Sequence, residues 1–289
     1  MRLPTTARLP VIAPASEPAG SAPRCRAGAA PRSRRPDLAI LLVLTALMPL
    51  PRVAQADITD EIQVYTNEIN GVHEAGLELH VNTTPSGRTT PAYPREVTPA
   101  HALRITPEFS YGLAENWELG AYLPTVARAS GQYDVAGAKI RLKWLPLHPE
   151  DGFYLGLNTE LSRMAQIYSE ARTTAEFRFI GGWKSGPWLV GVNPIFDFAL
   201  SDATRSKTPD TELAFKASRE VLPGIGLGSE FYWGVGKLND VQPFGRSPNT
   251  LYAVVDIDRK PWIFNVGIGH GTSSSADRWT VKAIIEIPF

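Results

Sequence analysis

The stretch WTVKAIIEIPF, Trp279 to Phe289, alternates along its length. Trp279, Val281, Ala283, Ile285, Ile287 and Phe289 fall on one side of an extended chain. Thr280, Lys282, Ile284, Glu286 and Pro288 fall on the other. A period of two marks a strand whose two faces meet different surroundings. The pattern recurs upstream. Leu103, Ile105, Phe109 and Tyr111 oppose Arg104, Thr106, Glu108 and Ser110, and Ala138, Ile140, Leu142 and Trp144 oppose Lys139, Arg141 and Lys143. No amphipathic helical period of useful length appears.

Twelve such segments follow one another, at about 71–83, 102–113, 116–126, 133–146, 152–163, 173–184, 187–200, 210–220, 224–236, 249–259, 261–271 and 278–289. Short turns and longer polar loops alternate between them. That asymmetry predicts an all-β fold, a transmembrane antiparallel up-and-down barrel of about twelve strands. An even count places both chain ends at the short-turn side. A soluble sandwich or lipocalin-like barrel also alternates, and three features favour the membrane. Segments of this length match the roughly 9–11 residues that cross a bilayer at a tilt. Trp117, Trp144, Trp183, Trp188, Trp233, Trp262 and Trp279 all lie on the apolar face, nearly all beside a turn or loop, where an aromatic girdle belongs. The central apolar-face positions carry no Asp, Glu, Lys or Arg; Arg163, Arg219 and Arg259 sit at segment ends, where long side chains can snorkel.

The first 56 residues differ from the rest. A Pro-, Ala- and Arg-rich start leads into the apolar run Leu38 to Leu50 and then Ala54-Gln55-Ala56. Basic region, short apolar core and small-x-small site describe a secretory signal peptide over 1–56, cleaved after Ala56, with a barrel domain over 57–289. Thirteen apolar residues are too few for a spanning helix, and no run of 18 exists anywhere. Cys25, the chain's one cysteine, lies in this leader, so the mature chain has no thiol. Eight of the 29 basic and two of the 29 acidic residues lie there too, so the mature chain carries 21 against 27, a net of −6. That balance argues against a nucleic-acid partner.

On the polar face, the expected lumen lining is Glu74, Glu78, Arg104, Glu108, Glu118, Lys139, Arg141, Lys143, Glu160, Glu176, Arg178, Lys216, Glu230, Asp256 and Lys282. Lys139, Arg141 and Lys143 form a basic stripe beside Glu118 and Glu160. The stripe either guides anions or belongs to an ion-pair ladder that fills the lumen.

FSYGLAENWELGAYLPT, Phe109 to Thr125, is similar to the first long hairpin of a proteobacterial barrel family labelled "meta-pathway of phenol degradation" or transporter. The matching pieces are Tyr111-Gly112-Leu113, Asn116, Glu118-Leu119-Gly120 and Leu123-Pro124. The terminal strand ending in Phe289 resembles the signal by which Gram-negative outer-membrane proteins engage their assembly machinery. These resemblances imply the outer membrane, contact with its lipid and with that machinery, and uptake of small organic solutes. They assign no binding residues.

No catalytic, metal or cofactor constellation emerges. His73-Glu74 begins like H-E-x-x-H, but position 77 is Leu. His270 is followed by Gly271-Thr272, so the His-x-Ser pair of outer-membrane phospholipases is missing. The expected function is a narrow passive channel, the alternatives being a structural barrel closed by ion pairs and, third, a membrane hydrolase.

Overall fold

A computed structural model describes residues 60–201 and 205–287. The cleavage site at Ala56, Cys25 and the terminal Phe289 lie outside the described residues. The strands are β1 (Ala75–Ser86), β2 (Leu103–Ala114), β3 (Trp117–Tyr122), β4 (Thr125–Ala127), β5 (Tyr133–Val135), β6 (Gly137–Leu147), β7 (Gly152–Met164), β8 (Thr173–Ser185), β9 (Trp188–Ala199), β10 (Asp210–Leu222), β11 (Ile225–Lys237), β12 (Asp240–Val241), β13 (Asn249–Arg259), β14 (Trp262–Gly271) and β15 (Trp279–Ile287). No helix occurs among the described residues.

These elements make a closed antiparallel barrel of twelve walls. β3 and β4 are one wall interrupted at Leu123-Pro124; β5 and β6 are the next, interrupted at Ala136; β12 is a short addition to β11. Closure comes from β1, which pairs with β2 (Leu79↔Pro107) and with β15 (Leu79↔Ile285). Closing the sheet removes every free edge.

The alternation sorts the side chains. Phe109, Ile140, Leu155, Phe179 and Leu227 point outward and are exposed, while Arg104, Glu108, Glu118, Arg141 and Lys282 point inward and are buried. A barrel whose charges are inside and whose Leu, Ile and Phe are outside is stable only in an apolar medium. Trp117, Trp144, Trp183, Trp188 and Trp262 ring the short-turn rim; Trp233 and Trp279 stand at the long-loop rim. Trp117 stacks on its register partner Trp144, and Arg219 lies over Trp188.

One segment departs from the expected topology. Residues 60–70 form no strand and run inside the barrel. Asn70 meets Glu118 and Ser110 near the short-turn rim, whereas Asp60 meets Lys139 and Asn82 toward the long loops. The described residues therefore begin inside the lumen, ahead of a β1 that starts at the short-turn side. Parity orders the wall strands and does not register a segment that runs inside them. Gly112 permits the re-entry: a Cβ there would lie 1.9 Å from the carbonyl oxygen of Gly71.

The long-loop rim is tied across. Val97 N–H donates to Ile167 C=O at 2.8 Å, and Arg88 N–H donates to Asp277 at 2.8 Å. The 87–102 connection thus joins the loop before β15 to the loop after β7.

Candidate functional site: a lumen filled from within

Residues 60–70 alternate only briefly, so their backbone has no ladder to join. Buried peptide groups must find other partners, and the wall supplies side chains. Asn193 Oδ1 accepts from Tyr65 N–H at 2.6 Å, and its Nδ2 donates to Tyr65 C=O at 3.0 Å. Lys282 Nζ donates to Ile62 C=O at 2.9 Å, Arg178 to Gln63 C=O at 3.0 Å, and Lys143 to Glu68 C=O at 3.3 Å. Near the rim, Asn70 N–H donates to Glu118 at 2.7 Å. The wall also makes apolar seats. Tyr65 packs with Leu145, Tyr154 and Ile180; Val64 with Ile195 and Ala214; Ile62 with Tyr252 and Val254. Burying Ile62, Val64 and Tyr65 stabilises the inserted state by roughly 1.5–3 kcal/mol per side chain.

The inward charges form three ion-paired groups. In the first, Arg141 contacts Glu108 and Glu118 (2.6 Å and 2.7 Å), and Lys143 reaches Glu118 at 3.0 Å. Gly120, the register partner of Arg141, leaves the space its side chain fills; a Cβ there would stand 2.6 Å from Arg141 Cγ. In the second, Lys139 bridges Asp60 (2.8 Å) and Glu160 (3.2 Å), while Arg178 holds Glu176 at 3.0 Å and faces Glu61 at 3.7 Å. In the third, Lys216 joins Asp256 (2.7 Å) and Glu230 (3.4 Å), and Glu230 also takes Lys282. Arg104 stands apart, donating to Asn82 at 2.6 Å. Lys139, Arg141 and Lys143 thus each have acidic partners, of which Asp60 belongs to the inner segment and Glu118 is shared with Asn70 N–H. Sequence reasoning missed residues 60–70 altogether.

Tyr65 is the centre of this arrangement. Its hydroxyl pairs with Tyr122 at 2.8 Å, and Arg178 lies 4.6 Å from its ring centroid, with Lys143 at 5.3 Å and Arg141 at 5.9 Å. These partners come from β3, β6 and β8, and Asn193 from β9, so Tyr65 is held by one continuous arc of the wall.

Below it a cavity of about 600 Å³ opens at the short-turn side. Glu78, Glu118, Lys143 and Glu286 line it, and Glu74, exposed in the turn before β1, rims it. His270 faces outward with its ring 4.6 Å from that of Trp279, while Ser273 Oγ accepts from Asn249 N–H; the two residues serve different partners. Outside the membrane band, Tyr168 donates to Asp134 at 2.6 Å; burial first, then that bond, pushes its hydroxyl up to about 12.

No protein-family model matches the chain, and no curated protein matches it in sequence. Solved structures do match. The COG4313 outer membrane channel from Pseudomonas putida F1 superposes with a TM-score of 0.54 at 12% identity, over 79% of this chain and 100% of that one. The KdgM porin in complex with disordered oligogalacturonate gives a TM-score of 0.50 at 10% identity, over 74% and 99%. At such identities the likeness is one of fold. The chain has the architecture of outer-membrane barrel channels.

Proposed function

We propose that the protein is an outer-membrane channel for small organic solutes, closed in this conformation by residues 60–70. The observation that carries the reading is the way those residues are held. Ion pairs, side chain–backbone bonds and three small apolar seats bind them, with no ladder to the wall. Such contacts can be exchanged for water one by one, whereas a thirteenth strand could not leave. The channel fold and the outward apolar band support placement in the outer membrane, and the pairing of the Lys139–Arg141–Lys143 stripe argues for a closed resting state.

Further parts of the reading rest on sequence. Cleavage after Ala56, recognition of Phe289 by the assembly machinery, a non-enzymatic role and kinship with the "meta-pathway of phenol degradation" barrels all belong to the proposal. The second reading is a structural barrel that never opens, which the dense ion pairing favours. Flux into liposomes separates the two. A variant lacking residues 57–70 should admit small sugars and aromatic acids that the full mature protein excludes. Equal exclusion by both proteins supports the structural barrel.

A further inference from the structure

Glu108, Glu78 and Glu286 stand side by side on three neighbouring inner strands. Glu78 is the register partner of Glu108 on β2 and of Glu286 on β15. Like charges directly opposite one another destabilise a sheet, and this row holds three. Among the described residues, Arg141 pairs with Glu108 through Oε1, and His80 meets its Oε2. Among the described residues, no ion pair reaches Glu286.

His80 stands two residues after Glu78 on the same inward face, 1% exposed. Its Nε2 lies 3.0 Å from Glu108 Oε2 and 3.7 Å from Glu78 Oε2, and the three donor atoms all fall within 4.8 Å of one another. Its Nδ1 is buried without a partner, so the ring's polar anchorage is entirely on the Nε2 side. Zinc binds imidazole nitrogen and carboxylate oxygen at about 2.0–2.2 Å, and tetrahedral arms of that length put neighbouring donors about 3.3–3.6 Å apart. The two His80 distances bracket that range.

We propose that Glu78, His80 and Glu108 form a binding site for a divalent first-row metal ion of the zinc type, set in the inner wall above the short-turn cavity. Neutral imidazole with two carboxylates balances a dication. Glu78 and Glu108 both line the 600 Å³ cavity, which provides the entry path and water for the fourth position. The site also touches the inner segment, since Gln63 Nε2 reaches Glu78 Oε2 at 3.4 Å. It stands whether or not the lumen conducts.

The test uses untagged protein extracted from membranes in detergent, stripped with a chelator and titrated with zinc chloride alone. Saturable binding of one ion per chain is expected, weakened at least tenfold in both Glu78→Gln and His80→Gln. Absence of saturable binding, or an unchanged affinity in either variant, overturns the site. If a variant fails to fold, shown by loss of its heat-modifiable gel shift, cobalt decides on the wild-type protein. Intense visible bands of four-coordinate cobalt with nitrogen and oxygen ligands uphold the site, and the weak bands of six-coordinate cobalt overturn it.

Discussion

Asn193 grips both backbone polar groups of Tyr65: its Oδ1 accepts the Tyr65 N–H at 2.6 Å and its Nδ2 donates to the Tyr65 C=O at 3.0 Å. Asn193 is fully buried, and the two residues are 128 positions apart. This pairing is what a neighbouring strand would otherwise provide, offered by one side chain to one residue. Replacing Asn193 with Ala leaves two buried backbone groups unpaired, each costing about 1–3 kcal/mol. The inserted state should lose at least tenfold in population. Limited proteolysis of the folded barrel, followed by N-terminal mass analysis, should cut Asn193→Ala between 60 and 70 well before the wild type.

Arg141 is the common partner of Glu108 and Glu118, both 2% exposed. Arg141→Ala removes the shared cation and leaves carboxylates buried with fewer partners, a loss of about 3–5 kcal/mol. The urea midpoint of folding into micelles should fall accordingly. Adding Glu108→Gln to Arg141→Ala should restore a large part of it, because the uncompensated charge goes with the carboxylate.

The outward face is tested at Ile140, in the middle of the wall that β5 and β6 form and 56% exposed. On a water-facing surface, Ile140→Arg would be neutral. In a lipid band it should cost about 2–4 kcal/mol at the midplane, seen as reduced folding into phospholipid vesicles. Arg163, at the end of β7, should tolerate Ile in the same assay.

Much of the fold is written in the period of two, since each wall must present unlike faces to lipid and lumen. The inner segment is not. Its partners lie far along the chain, 128 residues away at Asn193 and 220 at Lys282, so no local pattern announces them. A weaker signal exists on the walls. Tyr122, Leu145, Tyr154, Ile180, Ile195 and Tyr252 are apolar or aromatic residues on the otherwise charged inner face. A water-filled lumen has no use for them, and they are the seats of Ile62, Val64 and Tyr65. The glutamate row was equally hidden, because register between β15, β1 and β2 is set by closure of the barrel.

Tyr168 lies in the loop after β7, bonded to Asp134 and Arg128. Its hydroxyl is raised to about 12, above the ordinary tyrosine value near 10. A raised value means that the folded loop favours the protonated form. The contribution is complete below pH 10 and is lost as pH rises through 12. The tyrosinate absorbance of wild type minus Tyr168→Phe should titrate near 12. A midpoint near 10 would contradict the packing of this loop.

Planar-bilayer recording of single barrels tests the central claim most directly. The mature protein should be closed for most of the record, and the variant lacking residues 57–70 should hold a steady open conductance. Identical records from the two proteins would contradict the claim that this segment closes the channel.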